Sequence, residues 1–202
     1  MIFNLSAFYY NYSNLQVNTI SPGGIIQSVT NAAKARVEGV EAQLQGQLGA
    51  GFSIDGGLSL LDAKFVDYKT VNPAVDPNVT VDLKGNNLPR APHVEANLGL
   101  EYDRPVSAKL KLRLRADTQY RSKTYFDVFE TDLLSQHAFA TVNLSAGLDG
   151  VFATHSWNLT AFVRNVTNKL YATNAGQSNG YYGIVKWYDL PRTFGASFVV
   201  TY

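Results

Sequence analysis

The amino-acid sequence predicts an all-β fold, an antiparallel up-and-down transmembrane β-barrel segment of about eight strands. Three observations predict it. Apolar and polar residues alternate with period two over long stretches, as in a sheet whose faces meet different surroundings. The polar connections between these stretches alternate between short and long. Aromatic residues (Tyr102, Tyr120, Phe126, Trp157, Tyr171 and Tyr202) gather where strands end, the place of the interfacial girdles of membrane barrels.

The last strand, residues 192–202, shows the alternation best. Phe194, Ala196, Phe198, Val200 and Tyr202 share one face; Thr193, Gly195, Ser197, Val199 and Thr201 share the other. Over 109–120, Leu110, Leu112, Leu114 and Ala116 alternate with Lys109, Lys111, Arg113 and Arg115. The same pattern runs over 93–102, 40–48, 140–148 and 157–164. Two more strands are expected over 3–15 and 52–65, the first with aromatics on both faces and its facing open. Short turns are expected at 49–51, 103–107 and 149–154, and long connections at 16–33, 67–91, 122–136 and 172–190. With Tyr202 on the periplasmic side, every short turn falls there and every long loop falls outside, the asymmetry of outer-membrane barrels.

Composition narrows the function classes. Among 202 residues, 17 Lys and Arg face 16 Asp and Glu, so no charge excess points to nucleic acid. Cysteine is absent, which excludes a disulfide framework, cysteine metal sites and a thiol nucleophile. No apolar run reaches the roughly 18–20 residues of a membrane helix, and the first residues lack a basic n-region, so no signal peptide is expected. A soluble β-sandwich also alternates its faces, but its strands average about 5–6 residues, whereas the alternation over 109–120 is unbroken for twelve.

Five stretches, in order, carry a family resemblance: Tyr12-Ser13-Asn14-Leu15-Gln16-Val17; Asn31 with Ala35, Gly39, Val40 and Glu41; Leu88-Pro89-Arg90-Ala91-Pro92; Asn165-Val166-Thr167-Asn168-Lys169-Leu170-Tyr171; and Pro191-Arg192-Thr193-Phe194-Gly195. Together they resemble the C-terminal part of the barrel of TonB-dependent outer-membrane receptors. Thr167 departs from the aromatic more usual there. The resemblance implies that residues 1–202 are the C-terminal portion of a 22-stranded, plugged barrel, without its plug domain, in the outer membrane of a Gram-negative cell. It implies TonB-dependent uptake of scarce ligands, most often ferric siderophores. The implied partners are lipid, the N-terminal strands and plug of the same receptor, TonB through that plug, the outer-membrane assembly machinery and a small-molecule ligand. No cofactor is expected, and no enzymatic activity. A self-standing eight-stranded barrel of structural or adhesive role is the alternative, since eight strands suffice to close one.

Candidate site residues follow from position. Lys109, Lys111, Arg113 and Arg115 form a lumen-facing basic stripe, read either as an attractor for anionic ligands or as ordinary charge balanced by Glu41, Glu95, Glu101 and Asp117. Loops carry binding on rigid scaffolds, so Tyr125, Phe129, Tyr181, Tyr182, Trp187 and Tyr188 are the candidate ligand-stacking aromatics. The loop 67–91 has little apolar content and is expected to order only with a ligand or with further barrel strands. Phe194, Phe198, Val200 and Tyr202 look like the C-terminal signal read by the assembly machinery. His93, His137 and His155 are too scattered for metal-ligand spacing. Asp132, Ser135 and His137 are the one conceivable catalytic cluster, and neighbours so close on one loop rarely form a triad.

Overall fold

The computed structural model describes residues 1–20, 27–72, 75–178 and 183–202. Its strands are β1 (Ile2–Ile20), β2 (Gln27–Gly49), β3 (Phe52–Asp67), β4 (Lys69–Asn72), β5 (Asp76–Asp82), β6 (Val94–Ser107), β7 (Leu110–Arg121), β8 (Thr124–Tyr125), β9 (Ser135–Gln136), β10 (Phe139–Phe152), β11 (His155–Arg164), β12 (Ala172–Ser178), β13 (Gly183–Tyr188) and β14 (Thr193–Thr201). Eight of them form one antiparallel sheet in the order β1-β2-β3-β6-β7-β10-β11-β14. The other six make three small ribbons, β4–β5, β8–β9 and β12–β13, all within the long connections. The eight strands expected from the sequence are therefore all present, each beside its predecessor.

Register fixes the faces. Leu58 pairs with Ala42 and Ala96, Leu100 with Ala116, Leu144 with Val163, and Leu159 with Phe198, so one face is apolar across the sheet. That face meets no other layer: Leu5, Phe194 and Phe198 are 65%, 72% and 64% exposed. A sandwich would cover it with a second sheet. Along β3 the apolar stretch runs over residues 52–60, nine residues, within reach of the roughly 9–11 that a tilted strand needs to cross. Beyond it on the same face lie Arg36, Glu38, Asp62 and Lys64, linked by ion pairs of 2.7–3.6 Å. Charges inside the apolar band would cost about 2–4 kcal/mol each, so this cluster marks where the wall leaves the membrane.

Three expectations are corrected. The connection expected at 16–33 is mostly strand, because β1 and β2 run 19 and 23 residues and stand out beyond the band. The turn expected at 103–107 is the end of β6; the chain reverses at Ala108 and Lys109, and Pro105 is tolerated because it sits at a register shift. Lys109 is therefore a turn residue and not part of the lumen stripe. Likewise β10 continues to Phe152, and a tight turn at Ala153 and Thr154 follows, with Ala153 at φ 53°. At the third hairpin Ala50 and Gly51 both have positive φ, the twist that two-residue hairpins favour.

The girdle expectation holds in part. Tyr102 packs on Phe52 (4.6 Å between centroids), Trp157 on Phe198 (6.2 Å) and Tyr202 on His155 (5.2 Å), all at the short-turn end. Phe126 and Tyr171 instead belong to the loops: Phe126 pairs its backbone with Leu134, and Tyr171 stacks on Phe139. The facing of β1, open in the sequence, is resolved by pairing: Phe3, Leu5 and Ala7 join the apolar face, and Phe8, Tyr10 and Tyr12 the other.

Among the described residues neither β1 nor β14 pairs with the other, and each has a single partner. The sheet is an open wall, which disfavours the self-standing eight-stranded barrel. Glycines let the wall pack closely. At Gly39 a Cβ would lie 2.5 Å from Leu60 O and 2.7 Å from Phe8 Cζ, whereas at Gly176 the nearest atom is 3.7 Å away. Gly39→Val is therefore expected to destabilise the wall by about 1–3 kcal/mol through overpacking, and Gly176→Ala to leave it unchanged. The fraction of protein that keeps its folded mobility in unheated detergent gels checks both.

Candidate functional site

The polar face carries the site. Alternation places Lys111, Arg113, Arg115, Asp117 and Arg121 of β7 on it, beside Glu95, Glu101 and Asp103 of β6, Asp55 of β3 and Asp149 of β10. Every cation of the stripe has a carboxylate. Lys111 Nζ lies 2.6 Å from Asp103, Arg113 bridges Asp103 and Asp149 at 3.3 and 3.1 Å, and Arg121 Nε lies 2.5 Å from Glu95. Arg115 is the hub: it donates to Asp55 at 2.9 and 3.2 Å and to Asp117 at 2.6 Å, with Glu101 at 3.8 Å. Gly99 makes this possible, since a Cβ there would lie 2.7 Å from both Asp55 carboxylate oxygens and collide with the Arg115 guanidinium. The stripe is thus a paired network in which three cations meet five carboxylates. Of the four carboxylates expected beside the stripe, Glu101 and Asp117 pair with it; Asp55, Asp103 and Asp149 are the other partners, and Glu95 holds Arg121 instead.

Above the network, at the long-loop end, the loops lock onto one another. Asn86 Nδ2 donates to Val128 O at 3.0 Å, and Asn87 donates twice to Glu130 at 2.7 Å. Arg90 reaches Asn174 at 2.9 Å, Ala172 N donates to Gln136 at 2.7 Å, and Lys186 Nζ donates to Ser135 O at 3.2 Å. Under them lies a small apolar core of Val17, Ala33, Phe65, Tyr68 and Leu83. Within the described part of the loop 67–91, Tyr68 and Leu83 are 1% and 3% exposed and sit in this core. Sequence reasoning missed this core because its members alternate with no period; the only signal was apolar residues isolated in a polar stretch.

The motif residues serve this architecture. Asn165, at φ 51°, accepts from Lys169 N at 2.9 Å and donates to Lys169 O at 3.0 Å, which closes a tight turn after β11. Asn168 Oδ1 accepts from Arg192 N at 3.0 Å, clamping the start of β14 to that turn.

The predicted loop aromatics separate into classes. Phe129 packs against the loop core and Tyr125 lies under the Lys123 ammonium at 4.5 Å, so both are structural in part. Trp187 and Tyr188 on β13 are about half exposed, 51% and 52%. Tyr181 and Tyr182 lie outside the described residues. Asp132 is bound by Lys123 at 2.6 Å, which holds its carboxyl below the usual range, and Ser135 Oγ donates to the Asp132 backbone. These residues close a loop turn, with the Asp132 carboxylate held by Lys123. Phe194, Phe198, Val200 and Tyr202 lie on the outward face.

One recess opens at this mouth. Glu41, Gln43, Ser59, Glu95, Asn97 and Arg121 form its floor; Phe139, Tyr171 and Asp189 form its side, around a volume of about 500 Å³. Phe139 and Tyr171 stack at 4.2 Å and 15°. The Tyr171 hydroxyl donates to Asp189, and burial together with that carboxylate pushes its pKa up to about 12. No sequence period singled out this recess, because its side comes from residues that flank a loop ribbon.

An apolar outward face, an ion-paired inward face and interlocked loops at one end define the wall of an outer-membrane β-barrel. The chain belongs to the TonB-dependent receptor β-barrel family, whose model, described as TonB dependent receptor-like, beta-barrel, matches residues 1–166. That membership places it in the outer membrane of a Gram-negative cell. Its fold is similar to that of the ferric yersiniabactin uptake receptor FyuA from Yersinia pestis, at 22% identity and TM-score 0.73, covering 99% of this chain and 28% of that one. It is also similar to BauA, the ferric preacinetobactin receptor from Acinetobacter baumannii (21%, TM-score 0.68, 98% and 26%), and to the copper transporter OprC (19%, 0.65, 98% and 28%). The chain spans about a quarter of the length of these structures.

Arg115→Met leaves Asp55, Asp117 and Glu101 clustered without their cation. The expected loss is about 2 kcal/mol of stability near neutral pH, part of which Asp55→Asn restores in the double variant. Urea unfolding of the detergent-solubilised protein measures it.

Proposed function

We propose that this chain is the C-terminal part of the barrel domain, over residues 1–202, of a receptor for TonB-dependent uptake, with ferric siderophores as the ligands. One observation carries the reading: in a member of this family, the loops lock together over a recess on a polar wall, at the end where a ligand arrives from outside. The chain supplies wall and loops and performs no chemistry on the ligand. Its partners in this reading are lipid on the outward face, a plug and further strands of the same receptor, TonB acting through the plug, and the assembly machinery. The last of these reads the outward row of Phe194, Phe198, Val200 and Tyr202. Relatives named for iron chelates and for copper support a metal-bearing cargo.

Disrupting the gene in its own cells is expected to abolish energy-dependent uptake of at least one radiolabelled ferric siderophore under iron limitation. Uptake of every tested chelate at the parental rate would sink the reading. Among the loop aromatics, Trp187 and Tyr188 are the ligand-stacking residues. Trp187→Ala is expected to weaken ligand binding about tenfold, roughly the 1.4 kcal/mol of one stacking contact, without loss of folded protein. Phe129→Ala should instead lower the folded fraction, and equilibrium binding on isolated outer membranes separates the two outcomes.

A further inference from the structure

Three connections meet at the mouth, and the central one holds the other two. Residues 122–136, which follow β7, first close on themselves. Phe126 N donates to Leu134 O at 2.9 Å, Asp127 accepts from Thr131 N and Oγ1 at 3.0 and 2.6 Å, and Ser135 Oγ donates to Asp132 O at 2.7 Å. Thr124, Leu134 and Ser135 are buried. A connection packed by its own side chains behaves as a compact unit.

On one side this unit grips residues 86–90. Arg90 N donates to Tyr125 O at 2.8 Å, Asn86 Nδ2 to Val128 O at 3.0 Å, and Asn87 N and Nδ2 both to the Glu130 carboxylate at 2.7 Å. Val128 and Phe129 pack on the loop core beside them. On the other side it grips the β12–β13 ribbon. Gln136 Oε1 accepts from Ala172 N at 2.7 Å, and Ser135 O accepts from Lys186 Nζ at 3.2 Å. A direct, exposed bond from Arg90 to Asn174 at 2.9 Å also spans the two sides. Glu130 makes no bond to the ribbon among the described residues.

A folded unit set between two neighbours is either seated or released, and its release loosens both. A contact on one side that favours the seated state therefore stabilises the other side, and the coupling is reciprocal. We propose that residues 122–136 are the keystone of the rim, and that Glu130 is a positioning residue for the β12–β13 ribbon it does not touch. The ribbon presents Trp187 and Tyr188, so Glu130 also sets where that aromatic pair stands. Its bearing on ligand binding rests on the uptake reading above; the coupling itself does not.

The test is amide hydrogen exchange, read by mass spectrometry, on the intact receptor in detergent with no ligand added. Glu130→Ala removes a charged acceptor that serves two donors. The backbone there, at φ 55°, is as accessible to alanine as to glutamate. Exchange is expected to rise about tenfold or more at 86–90, and severalfold in the ribbon at 172–178 and 183–188. Glu130→Gln keeps an acceptor oxygen in place and should restore most of the protection on both sides. Gln136→Ala should raise exchange at 86–90 as well as in the ribbon, and serves where Glu130→Ala does not assemble. The distant effects should persist in an Arg90→Ala background. A rise confined to the substituted side, or a distant effect lost with Arg90, would overturn the keystone. Equal exchange in Glu130→Ala and Glu130→Gln would overturn the role of Glu130 in it.

Discussion

A strand that faces lipid has no water to satisfy its backbone, so each N–H and C=O must pair with a neighbouring strand. The continuous ladder from β1 to β14 meets that demand, and most other features follow from it. Pairing fixes register, and register fixes which side chains share a face. Once one face meets hydrocarbon, every charge is driven to the other. Carboxylates and guanidinium groups then crowd onto a single surface, where only mutual pairing keeps them tolerable. Arg115 among Asp55, Asp117 and Glu101 is the clearest product of that crowding.

Crowding also explains where glycine sits in the wall. Gly99 lies beneath the Arg115–Asp55 pair, Gly39 beneath the ring of Phe8, and Gly195 and Gly150 beneath the rings of Phe162 and Trp157. In each case a large side chain lies across the neighbouring strand, and a Cβ would displace it. These residues weaken the strand locally and gain the close approach that the larger group needs.

Outside the apolar band the rule changes. Water again satisfies backbone and charge, so β2 and β3 carry ion pairs on the outward face, while β1, β2 and β3 carry apolar side chains on the inward one. There Val17, Ala33, Phe65, Tyr68 and Leu83 gather under the loops. Three polar connections are tied into a rim by Asn87–Glu130, Arg90–Asn174 and Lys186–Ser135. The recess lies at the boundary between the two regimes. It is lined by the inward faces of β2, β3, β6 and β7 together with Phe139, Tyr171 and Asp189.

The eight strands and the faces of all but the first were legible in the sequence, because the penalty for charge in lipid writes a period of two into crossing strands. The resemblance of the Asn165–Tyr171 and Pro191–Gly195 stretches to one family was legible too, since a side-chain-closed turn tolerates few residues. Tertiary structure alone decided the rest. Local turn chemistry at Asp103, Arg104 and Pro105 suggested a reversal, but pairing with β7 carried the strand on and left Lys109 in the turn. Tyr171 ends a strand as a girdle residue would, yet Phe139 draws it inward. The loop core and the recess join residues that lie far apart in the sequence, where no membrane imposes a period. Only the folded chain brings them together.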